Sequence, residues 1–173
     1  MKYFLFLLLL TISVLFGDVK LGVDVFFEGR HIETLDGKKV GLITNQTGVN
    51  SKLRSTIDLF LEKQKDFTLV ALFAPEHGLD GSSYANEKID GKKGPSGIPV
   101  YSLYGKTRRP TDQMLKGIDV LIYDIQDIGC RTYTYATTLY YAMEEAAKQG
   151  IKVIVLDRPN PINGVMVDGP MLD

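Results

Sequence analysis

The stretch DVLIYDIQDIGCRTYTY, residues 119–135, decides the fold. Its apolar core, Val120 to Tyr123, is short, partly β-branched and followed at once by polar and turn residues. That combination reads as a strand buried on both faces, the kind found in parallel sheets. Three further runs repeat it on either side: Val40 to Thr44, Thr68 to Phe73 and Lys152 to Leu156. The intervals hold helical patterns, so the sequence predicts an α/β domain with a mostly parallel sheet.

Two helices are clear. Leu53, Ile57, Phe60 and Leu61 fall at helical spacing in Leu53 to Lys63, with Ser51 as a candidate cap. The second, Thr134 to Lys148, ends on a cation followed by Gln149 and Gly150, the usual form of a helix C-terminus. Between the second and third runs lies a long stretch, Gly78 to Gly117, whose centre from Ala85 to Pro99 reads as a loop. After it come an extended segment, PVYSLYG (Pro99 to Gly105), and a short helix beginning near Pro110 or Thr111.

The chain has 173 residues, and Met1 to Gly17 holds thirteen apolar residues against one charge, Lys2. A basic start, an apolar run and a small residue before Asp18 have the layout of a secretory signal peptide, with an uncleaved anchor as the alternative. The run is shorter than the roughly 20 residues a membrane span needs. Residues 18–173 then suffice for one domain with its own core. Without Lys2 they carry 19 basic and 21 acidic residues, a net charge of −2, which supplies no footprint for nucleic acid. Cys130 is the sole cysteine, so no internal disulfide is available, and it reads as a small buried residue.

Each apolar run leads into a polar cluster. The first is followed by Asn45, Gln46 and Thr47, the second by Pro75, Glu76, His77 and Gly78. The third leads to Asp124, Gln126, Asp127, Gly129 and Arg131, and the fourth to Asp157, Arg158, Asn160 and Asn163. Carboxyl ends of parallel strands share one edge of the sheet, where such folds bind ligands. Capping and turn formation would account for Thr47, Asp157 or Asn163 singly. A Glu-His pair, two aspartates and an arginine on one rim point to a small-molecule site.

Glu76 stands first among the candidates. A carboxyl group partly screened from water after a strand could hold its proton and give it to a leaving oxygen. His77 could orient Glu76, bind substrate or make a structural hydrogen bond. Asp124 or Asp127 could activate water or stabilise positive charge. Arg131, near the start of the second helix, suits an anionic ligand group, and Tyr133 and Tyr135 offer faces for a sugar ring. Tyr140 and Tyr141, deeper in that helix, read as packing residues. Asp124, Asp127, Asp157 and His77 could also supply metal ligands, but two histidines cannot build a three-histidine zinc site, and neither HExxH nor CxxC occurs. GxGxxG, GxxxxGK[ST] and GxSxG are absent too.

The segments GLITNQTGV (41–49), LFAPEHGLDG (72–81), PVYSLYG (99–105), GIDVLIYDIQDIGCRTYTY (117–135) and VLDRPNPINGVMVDGPMLD (155–173) together resemble the DUF1343 family, whose characterised members are exo-β-N-acetylmuramidases of the NamZ type. The resemblance runs over essentially the whole mature chain. It implies a Rossmann-like, three-layer N-terminal domain, with the family's C-terminal domain absent from this chain and a separately encoded C-terminal domain as a candidate partner. It further implies an exported bacterial enzyme, periplasmic or extracellular, that releases N-acetylmuramic acid from the non-reducing ends of peptidoglycan fragments. By the same resemblance Glu76 is the catalytic acid and the DIQDxGxRxYTY segment lines the pocket.

The expected mechanism has Glu76 protonating the glycosidic oxygen and Asp124 or Asp127 assisting water or the oxocarbenium-like charge. Asn45, His77, Gln126, Arg131, Tyr133, Tyr135, Arg158 and Asn160 are the expected sugar-binding residues, with Arg131 a partner for the lactyl carboxylate. No cofactor is expected. Retention and inversion stay open, since they depend on whether the carboxylates lie about 5 Å or about 6.5–9.5 Å apart. Two other readings compete: a non-catalytic muropeptide-binding module and a metal-dependent hydrolase built on the aspartates.

Overall fold

The computed structural model describes residues 19–82 and 94–171. The leader read in Met1 to Gly17 and most of the loop centre, residues 83–93, lie outside the described residues. Five strands form one sheet: β1 (Lys39–Thr44), β2 (Thr68–Ala74), β3 (Val100–Ser102), β4 (Val120–Asp124) and β5 (Lys152–Val155). Their order is β3-β2-β1-β4-β5, and every pairing is parallel. The chain builds outward from β1 in one direction and then in the other. Strands β1 and β4 therefore flank the point where the order reverses, the place where open α/β sheets form a ligand crevice.

Alternate residues along the strands serve two cores. On one face Val40, Leu42, Val120 and Ile122 meet Val23 and Phe26 of α1 (Gly22–Glu28) and Phe60 of α2 (Thr56–Lys63). Phe26, Phe27, Phe60 and Phe67 make edge-on and tilted contacts there, with ring centroids 4.9–6.2 Å apart. Each fully buried phenylalanine of this kind contributes roughly 1.5–3 kcal/mol. On the other face Ile43, Phe73, Leu121 and Tyr123 meet Leu115 of α3 (Asp112–Leu115) and Tyr135, Ala142 and Ala146 of α4 (Tyr135–Lys148). The result is a three-layer α/β arrangement, matching the α/β domain with a mostly parallel sheet read from the apolar runs and the three layers that the resemblance implies.

Three details differ from the sequence reading. The PVYSLYG segment is extended as expected, but Val100–Ser102 within it pairs with β2 and forms an edge strand. The first predicted helix begins at Thr56 rather than Leu53, and its cap is Ser55, whose hydroxyl accepts from the Ile57 amide. Asn50 is responsible: its Oδ1 accepts from the amides of Lys52 and Arg54, closing a turn that leaves Leu53 exposed at φ 58°. Tyr140 is 57% exposed, so it does not pack as expected, whereas Tyr141 is half-buried with the Arg109 guanidinium 4.0 Å from its ring centre. The second helix ends as read, at Lys148, and Gly150 takes φ 67° just beyond it.

Candidate active site at the sheet switch point

Asp124 ends β4 opposite Thr44 of β1, and it is fully buried. Its carboxylate is taken up on every side. Arg158, from the loop after β5, donates Nε to Oδ1 at 2.7 Å and Nη2 to Oδ2 at 2.9 Å, and the Thr56 hydroxyl at the start of α2 donates to Oδ2. Nη2 of Arg158 also donates to the Val49 carbonyl at 2.8 Å, and the Thr44 hydroxyl donates to the Asp124 carbonyl at 2.8 Å. The group ties together the ends of β1, β4 and β5 and the head of α2. Burial leaves Asp124 no opening onto the crevice in this arrangement, and the Arg158 side chain is only 5% exposed.

Above this pair, the loops after β1 and β4 are laced together by Thr47. Its amide and hydroxyl donate to Asn45 Oδ1 at 2.9 and 2.6 Å, and its Oγ1 accepts from the Gln126 amide at 3.0 Å. The Gln126 side-chain amide donates to the carbonyls of Asp127 and Pro159. Asp127 Oδ1 accepts from the Gly129 amide at 2.7 Å. Two side-chain atoms here, Asn45 Nδ2 and Asp127 Oδ2, are buried and meet no hydrogen-bond partner among the described residues. Orphaned buried polar atoms are uncommon and call for an explanation.

Glu76 stands on the rim one residue past Pro75, at the end of β2, and is half-buried. The Thr134 hydroxyl, at the N-terminus of α4, donates to Glu76 Oε2 at 2.8 Å. The Tyr135 hydroxyl approaches the Glu76 carbonyl at 3.4 Å. Tyr104, just past β3, reaches the Glu76 carboxylate, and that hydrogen bond raises the phenol's pKa. Burial, reinforced by Tyr133, pushes the Tyr135 phenol up to about 12, with Asn45 pulling the other way. Burial also raises the Tyr123 phenol, and its hydroxyl donates to the Tyr135 carbonyl at 3.0 Å. The rings of Tyr133 and Tyr135 meet edge-on at 4.6 Å. His77 beside Glu76 is exposed and takes φ 71°, a left-handed conformation uncommon outside glycine.

The remaining candidates lie further out. Arg131 is exposed and donates to the Pro170 carbonyl at 3.2 Å. Asn160 is exposed, accepts from the Ile162 amide at 3.0 Å and packs over Gly129. Cys130, read as buried, is exposed, because it sits in the loop before α4; its Sγ lies 3.2 Å from the Thr132 hydroxyl, a hydrogen bond that lowers the thiol's pKa. No group of three or more His, Cys, Asp or Glu able to hold a metal ion occurs among the described residues. No described helix is long and apolar enough to cross a membrane.

A small cavity of about 90 Å³ opens beside Thr134, bounded by Tyr104, Arg108 and Tyr141. A wider groove of about 610 Å³ runs along β5 and α1 but shares no residue with the Glu76 cluster. Polar groups converge on the switch point, so the site is assigned there. Thr56, Tyr104 and Thr134 were not among the sequence candidates, and Thr47 admitted both a turn role and a site role. Tyr104 had a usable signal: it lies near the end of the extended PVYSLYG segment, two residues past β3.

A family profile described as "Exo-beta-N-acetylmuramidase NamZ, N-terminal" matches residues 40–173. The chain is 48% identical over 159 residues to the peptidoglycan β-N-acetylmuramidase NamZ of Bacillus subtilis (strain 168), covering 90% of this chain and 37% of that protein. It superposes on the crystal structure of a DUF1343 family protein from Bacteroides fragilis with a TM-score of 0.77 and 52% identity, over 89% of this chain and 38% of the other. A second DUF1343 structure from that organism gives a TM-score of 0.71 at 37% identity, over 91% and 39%. The chain thus spans somewhat under two-fifths of the length of these relatives. Profile, sequence and fold agree, and the chain belongs to the family of exo-β-N-acetylmuramidase NamZ N-terminal domains.

Proposed function

We propose that the chain forms the acid-bearing part of a glycoside hydrolase that releases N-acetylmuramic acid from the non-reducing ends of peptidoglycan fragments. The observation that carries this reading is Glu76. It is a half-buried carboxyl group just past a strand end on the rim of the sheet, held by the Thr134 hydroxyl and close enough to the Tyr104 phenol to raise its pKa. Membership of the NamZ family supplies the substrate class, because the Bacillus subtilis relative is a peptidoglycan β-N-acetylmuramidase.

In this reading Glu76 protonates the glycosidic oxygen as the bond breaks. Asp127, half-buried beside the rim, is the second acidic group of the reading, while Asp124 and Arg158 hold the strand ends in register. Tyr133 flanks the sugar, Tyr135 supports it from the core at 2% exposure, and Arg131 takes a ligand carboxylate in exchange for its contact with the Pro170 carbonyl. The same reading includes export, directed by the leader read at Met1 to Gly17. It also includes a C-terminal domain, from the same or another chain, as the second wall of the cleft.

The test is an assay of this chain on a disaccharide with N-acetylmuramic acid at its non-reducing end, alone and with the C-terminal part of a relative added. Release of N-acetylmuramic acid in either case supports the proposal. The competing outcome is a muropeptide-binding module. Binding without release under both conditions would establish that module instead.

A further inference from the structure

Three of the described α-helices have a hydroxyl residue at the cap position, and two of them use it as a cap. Ser55 Oγ accepts from the Ile57 amide at 3.1 Å ahead of α2, and Thr111 Oγ1 accepts from the Met114 amide at 3.3 Å ahead of α3. Thr134, ahead of α4, differs. Its backbone is already helical, at φ −79° and ψ −11°, and its side chain caps nothing. The hydroxyl donates instead to Glu76 Oε2 at 2.8 Å, 58 positions away in the chain. A cap satisfies an amide that the helix cannot, so a threonine that turns away from its own helix forgoes stability. What it gains is a grip on the carboxyl group.

A second hydroxyl is brought to Glu76 by strand register. Ala74 of β2 pairs with Ser102 of β3, and the Leu103 amide donates to the Ala74 carbonyl at 2.8 Å. Glu76 and Tyr104 each follow two residues past that pair, so the parallel strands deliver them side by side. Tyr104 is anchored at its root: Ser102 Oγ accepts from its amide at 3.2 Å and donates to its carbonyl at 2.5 Å. The Arg108 guanidinium lies 5.4 Å from its ring centre, within reach of a cation–π attraction. Tyr104, Arg108 and Thr134 border one cavity of about 90 Å³, so the two hydroxyl-bearing residues meet around a shared opening. The phenol responds to the carboxylate, which raises its pKa while Arg108 works against the rise.

We propose that Thr134 and Tyr104 are positioning residues for Glu76, holding its carboxyl group from α4 and from the loop after β3 in the orientation that delivers a proton to the departing oxygen. A glutamate side chain on an open rim has many rotamers, and two donors from separate elements restrict them. Both donors are neutral, so they orient the group without supplying a counter-charge. As the proton leaves, Glu76 becomes a carboxylate and the two hydrogen bonds strengthen, because their acceptor is then charged. Their effect therefore falls on the proton-transfer step rather than on sugar binding. The inference rests on the proposed role of Glu76 as the acid and is independent of which group serves as the second acid.

The experiment uses the whole chain and two variants that remove a hydroxyl and keep the shape, Thr134→Val and Tyr104→Phe. Turnover of the muramic acid disaccharide, under the condition that gives release with the unaltered chain, should fall about tenfold in each, as the loss of one hydrogen bond to a charged group implies. KM should change little, a nitrophenyl muramide should lose much less, and Thr134→Ser should recover the disaccharide activity. Apart from turnover, the Glu76 carboxyl carbon is followed by NMR in protein labelled at glutamate, its signal identified by its loss in Glu76→Gln. That signal should move in both variants and return in Thr134→Ser. The unfolding midpoint of Thr134→Val should hold, since no cap is lost; should it fail to fold, Tyr104→Phe reads the same quantities. An unmoved signal in a folded variant, or an equal loss on both substrates, overturns the positioning role. A moved signal in a chain that releases no sugar, alone or with the C-terminal part of a relative, supports the grip on Glu76 and contradicts the muramidase reading.

Discussion

Arg158 and Asp124 show how a residue can be prominent in sequence and yet serve the site from beneath. The guanidinium meets the carboxylate through two hydrogen bonds in a place that excludes water, so the loss of either partner strands a buried charge. Removing one member of such a pair costs about 3–5 kcal/mol, and Arg158→Ala should lower the unfolding free energy by that amount in urea titration. A loss below about 1 kcal/mol, typical of an exposed pair, would contradict the burial described here. The sequence marks both residues as polar groups after strands, but not that they pair across 34 positions. Glu76 keeps the position after β2 that the sequence reading gave it, half-buried on the rim, with the Thr134 hydroxyl from 58 positions away on its carboxylate. Cys130 was misread because cysteine's apolar habit says nothing of a loop that turns outward at Gly129.

At the scale of elements, the strand ends are positioned by the turn that follows β1. A methyl group added at Gly48 would lie 2.1 Å from the Thr44 hydroxyl oxygen and 3.0 Å from the Asp124 carbonyl oxygen. Those two atoms form the hydrogen bond that joins β1 to β4 at the switch point. Gly48→Ala must push this turn aside, and overpacking of that kind costs roughly 1–3 kcal/mol. The expected outcome is a lowered thermal midpoint together with weakened sugar binding; an unchanged midpoint would show that the turn is not close-packed. The four longer strands were legible from their apolar runs, and α4 from its periodicity and its Gly150 stop. Strand β3 pairs through only three residues, and α1 has seven, so neither is long enough to establish a period. The start of α2 was displaced because the Asx-type turn at Asn50 overrides the helical spacing of Leu53.

For the whole molecule, the order β3-β2-β1-β4-β5 gathers residues from four separate sequence clusters onto one rim. That convergence was readable in outline, since parallel strands must place their carboxyl ends together. Which side chains are buried at the rim was not, because the full burial of Asp124 and the half-burial of Glu76 depend on partners from other loops. The central claim is that Glu76 supplies the proton to the departing sugar. It is tested most directly by Glu76→Gln, assayed on the muramic acid disaccharide under whichever condition gives release with the unaltered chain. A nitrophenyl muramide, whose leaving group needs little protonation, is measured alongside. The account predicts a loss of about 10²–10⁴-fold on the disaccharide, a much smaller loss on the nitrophenyl substrate and an unchanged unfolding midpoint. Undiminished release from the disaccharide would contradict it.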